Sequence, residues 1–386
     1  MAEIECRHFN GYKPCGKNET CDSKCSAREL VNERILIVHL EALGAVLRST
    51  SLLAAIKRTH PHAHLTWVTK APAHILLQGI PAIDRVLTLN AEDLLKLSVL
   101  EFDLAFVVDK SAVATALVQS ARVRETRGFR AQPSGVIVPA NPEANELWEI
   151  GLNDRKKFFE NTKTEQQLVH ESLALGAYTH DPYSVHLSQT EKDLVRTRRQ
   201  LWGEGVIIGI NTGCSPTLPH KKLTIEGHRQ LIQNLRAHAD LKRLPIVLLG
   251  GPEDSERNQA IGHGLGVIQS PTTRGLRDGL VSVAACDLVF SGDSLGMHMA
   301  IGLNKWTVAW FGPSCAQEID LYGRGRKILS QAACAPCWKR VCSKVDMCYD
   351  QVDFTAAAAA LAEGLAWHIS SSKPHFPGTS SSPSPF

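Results

Sequence analysis

Residues 286–303 read CDLVFSGDSLGMHMAIGL, and this stretch decides the fold. Leu288, Val289 and Phe290 form a short apolar run. Ser291, Gly292, Asp293 and Ser294 form a polar turn. Met297, His298, Met299, Ala300 and Ile301 resume with helical character. A strand followed directly by a helix leaves free backbone N–H groups at the helix start. Those groups and the helix dipole favour an anion. Asp293 falls at the carboxyl end of the strand, the edge at which open α/β sheets bind ligands. The alternative is an ordinary βα turn with Asp293 as the helix N-cap.

The same rhythm runs through most of the chain. RILIVHL at 34–40 is an apolar, branched run that reads as a buried strand. Residues 41–45 make a tight loop, and 46–59 read as a helix with Leu52, Leu53 and Ile56 on one face. Further strands are expected at 64–68, 85–89 and 104–108. Residues 122–183 show no clear period beyond a helix at 163–175, and an interdomain connection is expected at 182–188. A charged helix at 190–202 opens a second alternating set, with strands at 206–211, 245–250, 266–269 and 306–311. Helices at 225–238, 254–261 and 276–285 lie between them. Strands alternating with helices imply parallel sheets with right-handed crossovers. Two such α/β halves predict two facing Rossmann-like domains, at 31–185 and 186–369. An alanine-rich helix is expected at 356–367, and the serine- and proline-rich stretch 370–386 reads as a disordered tail.

A length of 386 residues and a 44% apolar composition allow two sizeable cores. The net charge of +3 gives no footprint for nucleic acid. No apolar run reaches the roughly 18 residues of a membrane span. The opening MAEIECRHFNGYKPC carries no apolar signal core, so a cytoplasmic protein is expected.

The 11 cysteines are uneven. Cys6, Cys15, Cys21 and Cys25 lie in a polar segment, 1–30, read as a small knuckle without a core. Cys334, Cys337, Cys342 and Cys348 lie within 334–348. In a reducing compartment such clusters bind metal more often than they form disulfides. Four thiolates suit tetrahedral zinc, or iron in a sulfur-rich site, and spacing does not separate these from an iron–sulfur cluster. Reduced free thiols are the alternative. Neither set leaves an evident open position, so both read as structural.

Four landmarks occur in order: RILIVHLEALGAVLRSTSLLAAIK, the loop 212–222, LLGGPEDSE, and SGDSLGMHMAIGL followed by WFGPS. In this order they resemble glycosyltransferase family 9, the ADP-heptose:lipopolysaccharide heptosyltransferases, over about 34–354. The resemblance implies the two-domain GT-B fold, with the nucleotide sugar on the C-terminal domain and the acceptor facing the N-terminal one. The family turn is Asp-Thr-Gly with a His five residues after the Asp. Asp293 and His298 match, and Ser294 keeps the hydroxyl. Leu295 stands at the family's Gly, with Gly296 one place later. The resemblance assigns Asp293 to sugar hydroxyls, which a carboxylate suits as a double acceptor. It assigns the N–H groups that follow to the diphosphate. Thr212 and Gly213 open the phosphate loop, whose Lys221 contacts phosphate, with Lys222 the neighbouring choice. Glu253 is assigned to the ribose, although a helix-start acid there could simply complement the dipole, as could Asp254. His298 could equally be a packed core residue.

One departure concerns chemistry. The family's first loop reads Gly-Asp-Val, its Asp being the presumed base for the acceptor hydroxyl. Here it reads Gly44-Ala45-Val46. Glu41, in the same loop, becomes the expected base, with Asp109 the next choice. A solvated loop acid is the plain alternative for Glu41. The resemblance also implies iron as readily as zinc at the C-terminal cysteines, since a similar finger holds iron in the related autotransporter heptosyltransferases.

The expectation is an inverting glycosyltransferase that needs no metal ion or other cofactor for catalysis. Its donor would be a nucleotide sugar such as ADP-heptose. Its acceptor would be a lipopolysaccharide core or another envelope glycan, reached by peripheral contact with the inner membrane. A catalytically weak sugar-nucleotide binder and a cysteine-knuckle scaffold are the rival expectations.

Overall fold

The computed structural model describes residues 6–9 and 11–371. The expected tail lies almost wholly outside the described residues. The first sheet contains β1 (Glu33–Val38), β2 (Ala63–Thr69), β3 (Arg85–Thr88), β4 (Glu101–Val107), β5 (Arg122–Ala131) and β6 (Ile137–Pro139). The second contains β7 (Ile208–Asn211), β8 (Ile246–Leu249), β9 (Ile268–Gln269), β10 (Leu288–Gly292), β11 (Trp306–Phe311) and β12 (Gly325–Leu329). Their orders are β3-β2-β1-β4-β5-β6 and β12-β11-β10-β7-β8-β9. Read from the other edge, the second repeats the first. All ladders are parallel except β5 with β6. Both sheets therefore have the doubly wound order, which reverses between β1 and β4 and between β7 and β10.

Composition explains the central strands. Ile35–Val38 in β1, and all of β7, β8, β10 and β11, are buried, as strands covered by helices on both faces must be. β5 escapes the sequence pattern because RVRETRGFRA is mostly polar and half exposed, with only Gly128 and Phe129 fully buried. The helix expected over 46–59 is two, Leu43–Ser49 and Leu52–Thr59. Between them the Thr50 hydroxyl donates to the Leu47 carbonyl at 2.6 Å, the local competition that makes Ser and Thr poor helix-interior residues. The same hydroxyl accepts from the Ser184 N–H at 2.9 Å, which pins the irregular 182–188 connection to this break.

The halves share an apolar seam. Leu47 and Leu76 of the first half join Tyr183, Met297, Met299, Ala300 and Ile301 in one buried cluster. Each leucine so buried is worth about 1.5–3 kcal/mol. At the closest approach, helix Leu43–Ser49 meets helix Leu295–Gly302. A Cβ on Gly44 would lie 2.5 Å from Cδ2 of His298. The last helix, Phe354–Ser371, returns over the second sheet, and the Trp306 indole donates to its Ala360 carbonyl at 2.9 Å. The N-terminal segment has neither helix nor strand among its described residues. Arg7 ties it to the first sheet by donating to Ala63 O at 2.7 Å.

Gly44→Ala should therefore destabilise the protein by about 1–3 kcal/mol through overpacking. This outweighs the roughly 1 kcal/mol that alanine gains in helix propensity. A denaturant midpoint equal to or above that of the parent would show that His298 yields freely.

Candidate active site

A cleft of about 1030 Å³ lies between the halves, at the size limit of ligand pockets. It occupies the crevice at the carboxyl end of β10, beside the order reversal with β7. Asn211 ends β7 and organises the turn after β10. Its amide donates to Gly213 O at 2.9 Å, Ser291 Oγ at 3.1 Å and Ser294 Oγ at 2.9 Å. Gly296 packs directly on Asn211, where a Cβ would stand 2.5 Å from Cγ. The glycine one place later than in the resembling family thus permits this approach. Helix Leu295–Gly302 starts with Ser294 as N-cap and no side-chain cap, so its first N–H groups face the cleft. Asp293 is not the N-cap.

Asp293 instead accepts from Lys221 Nζ at 3.0 Å. The phosphate loop reaches this point because Gly292 has no side chain; a Cβ there would lie 2.0 Å from the Lys221 carbonyl oxygen. Burial alone would raise the Asp293 carboxyl. The Lys221 ammonium, by charge and hydrogen bond, outweighs it and holds the carboxyl below its ordinary value. His298 lines the same wall but is buried. Its Nδ1 is 3.1 Å from the Tyr183 hydroxyl, and burial followed by the Arg48 charge pushes its pKa down to about 3.

Gly213, Lys221, Glu253, Asp293, Ser294, Leu295, Gly296 and His298 all line the cleft. Thr212 and Lys222 do not. Thr212 is fully buried, and its hydroxyl donates to the Leu249 carbonyl at 3.0 Å. Asp254 is buried against the glycines of its strand end, accepting from the Gly251 N–H at 3.0 Å. Glu41 lies outside the cleft lining, 66% exposed and paired with Lys70 at 2.7 Å. Asp109 also lies outside it and accepts from the Leu40 N–H, burial pushing its carboxyl up to about 6. Ala45 does line the cleft, so the first loop presents a methyl group where the resembling family has an acid.

Sequence reading missed two groups. Ser270, Thr272, Leu276, Gly279 and Val283 form a small-residue wall beside Glu253. Across the cleft stand Arg48, Lys110, Lys157, Glu165 and Glu318, together with Trp338 from the cysteine-rich segment. Arg48 pairs with Glu165 at 2.5 Å, and Lys157 lies 4.5 Å from the centroid of the Trp338 ring. Glu318 follows the carboxyl end of β11, a position the sheet-edge rule alone would have flagged.

The four C-terminal thiols surround one small cavity. Burial pushes the Cys348 thiol up to about 11, and neighbouring Cys337, Cys334 and Cys342 add to the shift. Among the described residues, no three His, Cys, Asp or Glu side chains are arranged to hold a metal ion. Cys6, Cys15, Cys21 and Cys25 are half-buried free thiols.

Two repeated doubly wound sheets facing across a cleft, with an anion-ready helix start on the second, define a GT-B glycosyltransferase. The chain belongs to glycosyltransferase family 9 (heptosyltransferase), whose family model it matches over residues 97–347. A family 9 glycosyl transferase from Veillonella parvula superposes with a TM-score of 0.69 at 17% identity, covering 88% of this chain and 99% of that one. The ADP-heptose lps heptosyltransferase II of E. coli gives 0.63 at 18%, covering 87% and 99%. The iron-containing dodecameric glycosyltransferase TibC from enterotoxigenic E. coli gives 0.52 at 11%, covering 88% and 77%. At these identities the likeness speaks to the fold. No curated protein matches the sequence. Among the described residues no helix is long and apolar enough to cross a membrane.

The environment of His298 makes a measurable prediction. Its imidazole should remain neutral from pH 8 down to about 5, while an exposed histidine titrates near 6.5. Because the unfolded chain takes up this proton first, the stability tied to neutral His298 is complete above about pH 6.5. It declines as pH falls toward 3. An NMR titration in which the His298 ring protonates near 6.5 would contradict the burial argument.

Proposed function

We propose that the protein transfers a heptose from ADP-heptose to a lipopolysaccharide core or related envelope glycan, with inversion at the anomeric carbon. The observation that carries this reading is the Lys221–Asp293 pair at the start of helix Leu295–Gly302, at the order reversal of the second sheet. The donor's diphosphate sits against the free N–H groups of Leu295 and Gly296 and the Lys221 ammonium. These donors stabilise the negative charge that grows on the leaving nucleoside diphosphate, so a divalent ion is unnecessary. Asp293 accepts from sugar hydroxyls, Glu253 from the ribose, and the Ser270–Val283 wall flanks the base. The acceptor enters from the side of Arg48, Lys110 and Lys157. The naming of one structural relative as an ADP-heptose lps heptosyltransferase supports this donor and acceptor. A donor-binding protein of weak activity is the second reading, favoured by Ala45 at the cleft wall.

Cys334, Cys337, Cys342 and Cys348 would together hold one structural zinc or iron. The iron content named for TibC favours iron. The set supplies the four thiolates a tetrahedral site takes, around one cavity, although the side chains would have to turn inward, since among the described residues no three stand arranged around an ion. Cys6, Cys15, Cys21 and Cys25 would form a second structural site. Either ion would act through folding.

Asp293→Ala should weaken donor binding or turnover at least about tenfold, equivalent to roughly 1.4 kcal/mol. The assay is ADP release from ADP-heptose with a heptose-free lipopolysaccharide core, beside a thermal-shift panel of other nucleotide sugars. A folded variant with parental affinity and turnover would remove Asp293 from the site. For the metals, elemental analysis of reduced, tag-free protein should find about one zinc or iron per cysteine set. Cys337→Ser should lose one ion and stability together. Stoichiometric disulfides without metal would refute the assignment.

A further inference from the structure

The first loop offers the cleft no acid, and Glu41 and Asp109 both stand outside its lining. The acids that do reach the lining differ in what they are free to do. Asp293 is committed to Lys221, and Glu165 to Arg48. Glu253 and Asp254 stand on the nucleotide side. That leaves Glu318. Its carboxylate forms no hydrogen bond or ion pair among the described residues, although the residue is half-buried.

The backbone that carries Glu318 is fixed from both sides. Gln317 donates from Nε2 to the carbonyls of Lys157, at 3.1 Å, and Phe158, at 3.3 Å, in the N-terminal half. The Trp338 indole donates to Cys315 Sγ at 3.4 Å. An immobilised turn that holds an unpartnered carboxylate over the cleft is an arrangement suited to proton transfer.

We propose that Glu318 is the general base of the transfer reaction and takes over the acid role that Ala45 cannot fill. The inference rests on the glycosyltransferase reading above. As the acceptor hydroxyl oxygen attacks the anomeric carbon, its proton passes to Glu318. The new C–O bond forms while the bond from the anomeric carbon to the diphosphate oxygen breaks. The electron pair leaves on the nucleoside diphosphate, beside Lys221. Glu318 then gives its proton to solvent.

The charges around Glu318 fit the role. Burial and the Glu165 carboxylate raise its carboxyl to about 7, while Lys157 and Arg48 pull against them. Asp293 adds to the rise, and Lys110 and the Cys315 thiol complete the groups that face it. Glu165 is held the other way, below the ordinary carboxylate value. Burial there is overcome by Arg48 and Lys110. Two carboxylates pushed apart in this way mark a division of labour. The ionised Glu165 is the fixed charge, and Glu318 is the group that exchanges a proton near neutrality.

Glu318→Gln keeps size and polarity but cannot accept a proton near neutral pH. It should bind ADP-heptose within about twofold of the parent and lower turnover about 10²-fold or more. The parent's kcat/KM should rise with pH through about 7 as Glu318 ionises, and the residual rate of the variant should lack that limb. Glu318→Asp should recover part of the loss. Independently of activity, difference infrared spectra between pH 5 and 9 should show a protonated carboxyl band that titrates near 7 in the parent and is absent from Glu318→Gln. Full activity in Glu318→Gln would overturn the proposal. So would equal loss of donor affinity and turnover, or a Glu318 carboxyl titrating near 4. A parent protein that neither binds nor turns over nucleotide sugars would sink the glycosyltransferase reading and the base with it. That failure is distinguished by being present before any substitution.

Discussion

The cleft exists because two helix starts are held against each other at van der Waals distance. Helix Leu43–Ser49 presents Gly44 to the His298 ring, and His298 meets the Tyr183 hydroxyl from the connection between the halves. Leu47 and Leu76 complete the seam with Met297, Met299 and Ile301. Each helix follows a central strand of its own sheet, so the seam sets the two sheet edges face to face. A larger residue at position 44 would have to displace the His298 ring or part the two helices that frame the cleft. Catalytic geometry tolerates such shifts poorly, since about 1 Å can cost 10²-fold in rate.

Within that frame the electrostatics follow from burial and pairing. Asp293 stays ionised because the Lys221 ammonium, by charge and hydrogen bond, outweighs its desolvation. His298 stays neutral because burial and Arg48 oppose its proton. Glu165 stays ionised against Arg48. Cations thus stand on both sides of the cleft, with Lys221 on one and Arg48, Lys110 and Lys157 on the other. A preorganised positive environment of this kind favours an anionic ligand in the cleft.

The cysteine-rich segment reaches into the same site. Trp338, one residue after Cys337, lines the cleft, with Lys157 at 4.5 Å and Lys221 at 5.7 Å from its ring centroid. Such contacts are worth about 0.5–2 kcal/mol and restrict both ammonium groups. Whatever orders the four thiols therefore also orders the wall on which both lysines rest.

The sequence by itself determined the repeated strand–helix order, because a buried parallel strand must be a continuous apolar run and its ligand turn a short polar one; the GT-B class and the family came from the resemblance carried by four landmarks in order. RILIVHL and CDLVFSGDSLGMHMAIGL carry the strand-and-turn pattern within single segments. It also marked Lys221, Glu253 and Asp293 as cleft candidates. It did not mark β5, whose polar residues obscure the alternation, or the break at Thr50, which is made by one side-chain hydrogen bond. Only the tertiary structure decided which acids face the cleft. Glu41 is near Ala45 in sequence but pairs with Lys70 outside the lining, whereas Glu318, far along the chain, is brought in by the turn after β11. The physical reason is that burial and charge partners come from contacts between distant segments, so the protonation state of a carboxylate is a property of the folded cleft.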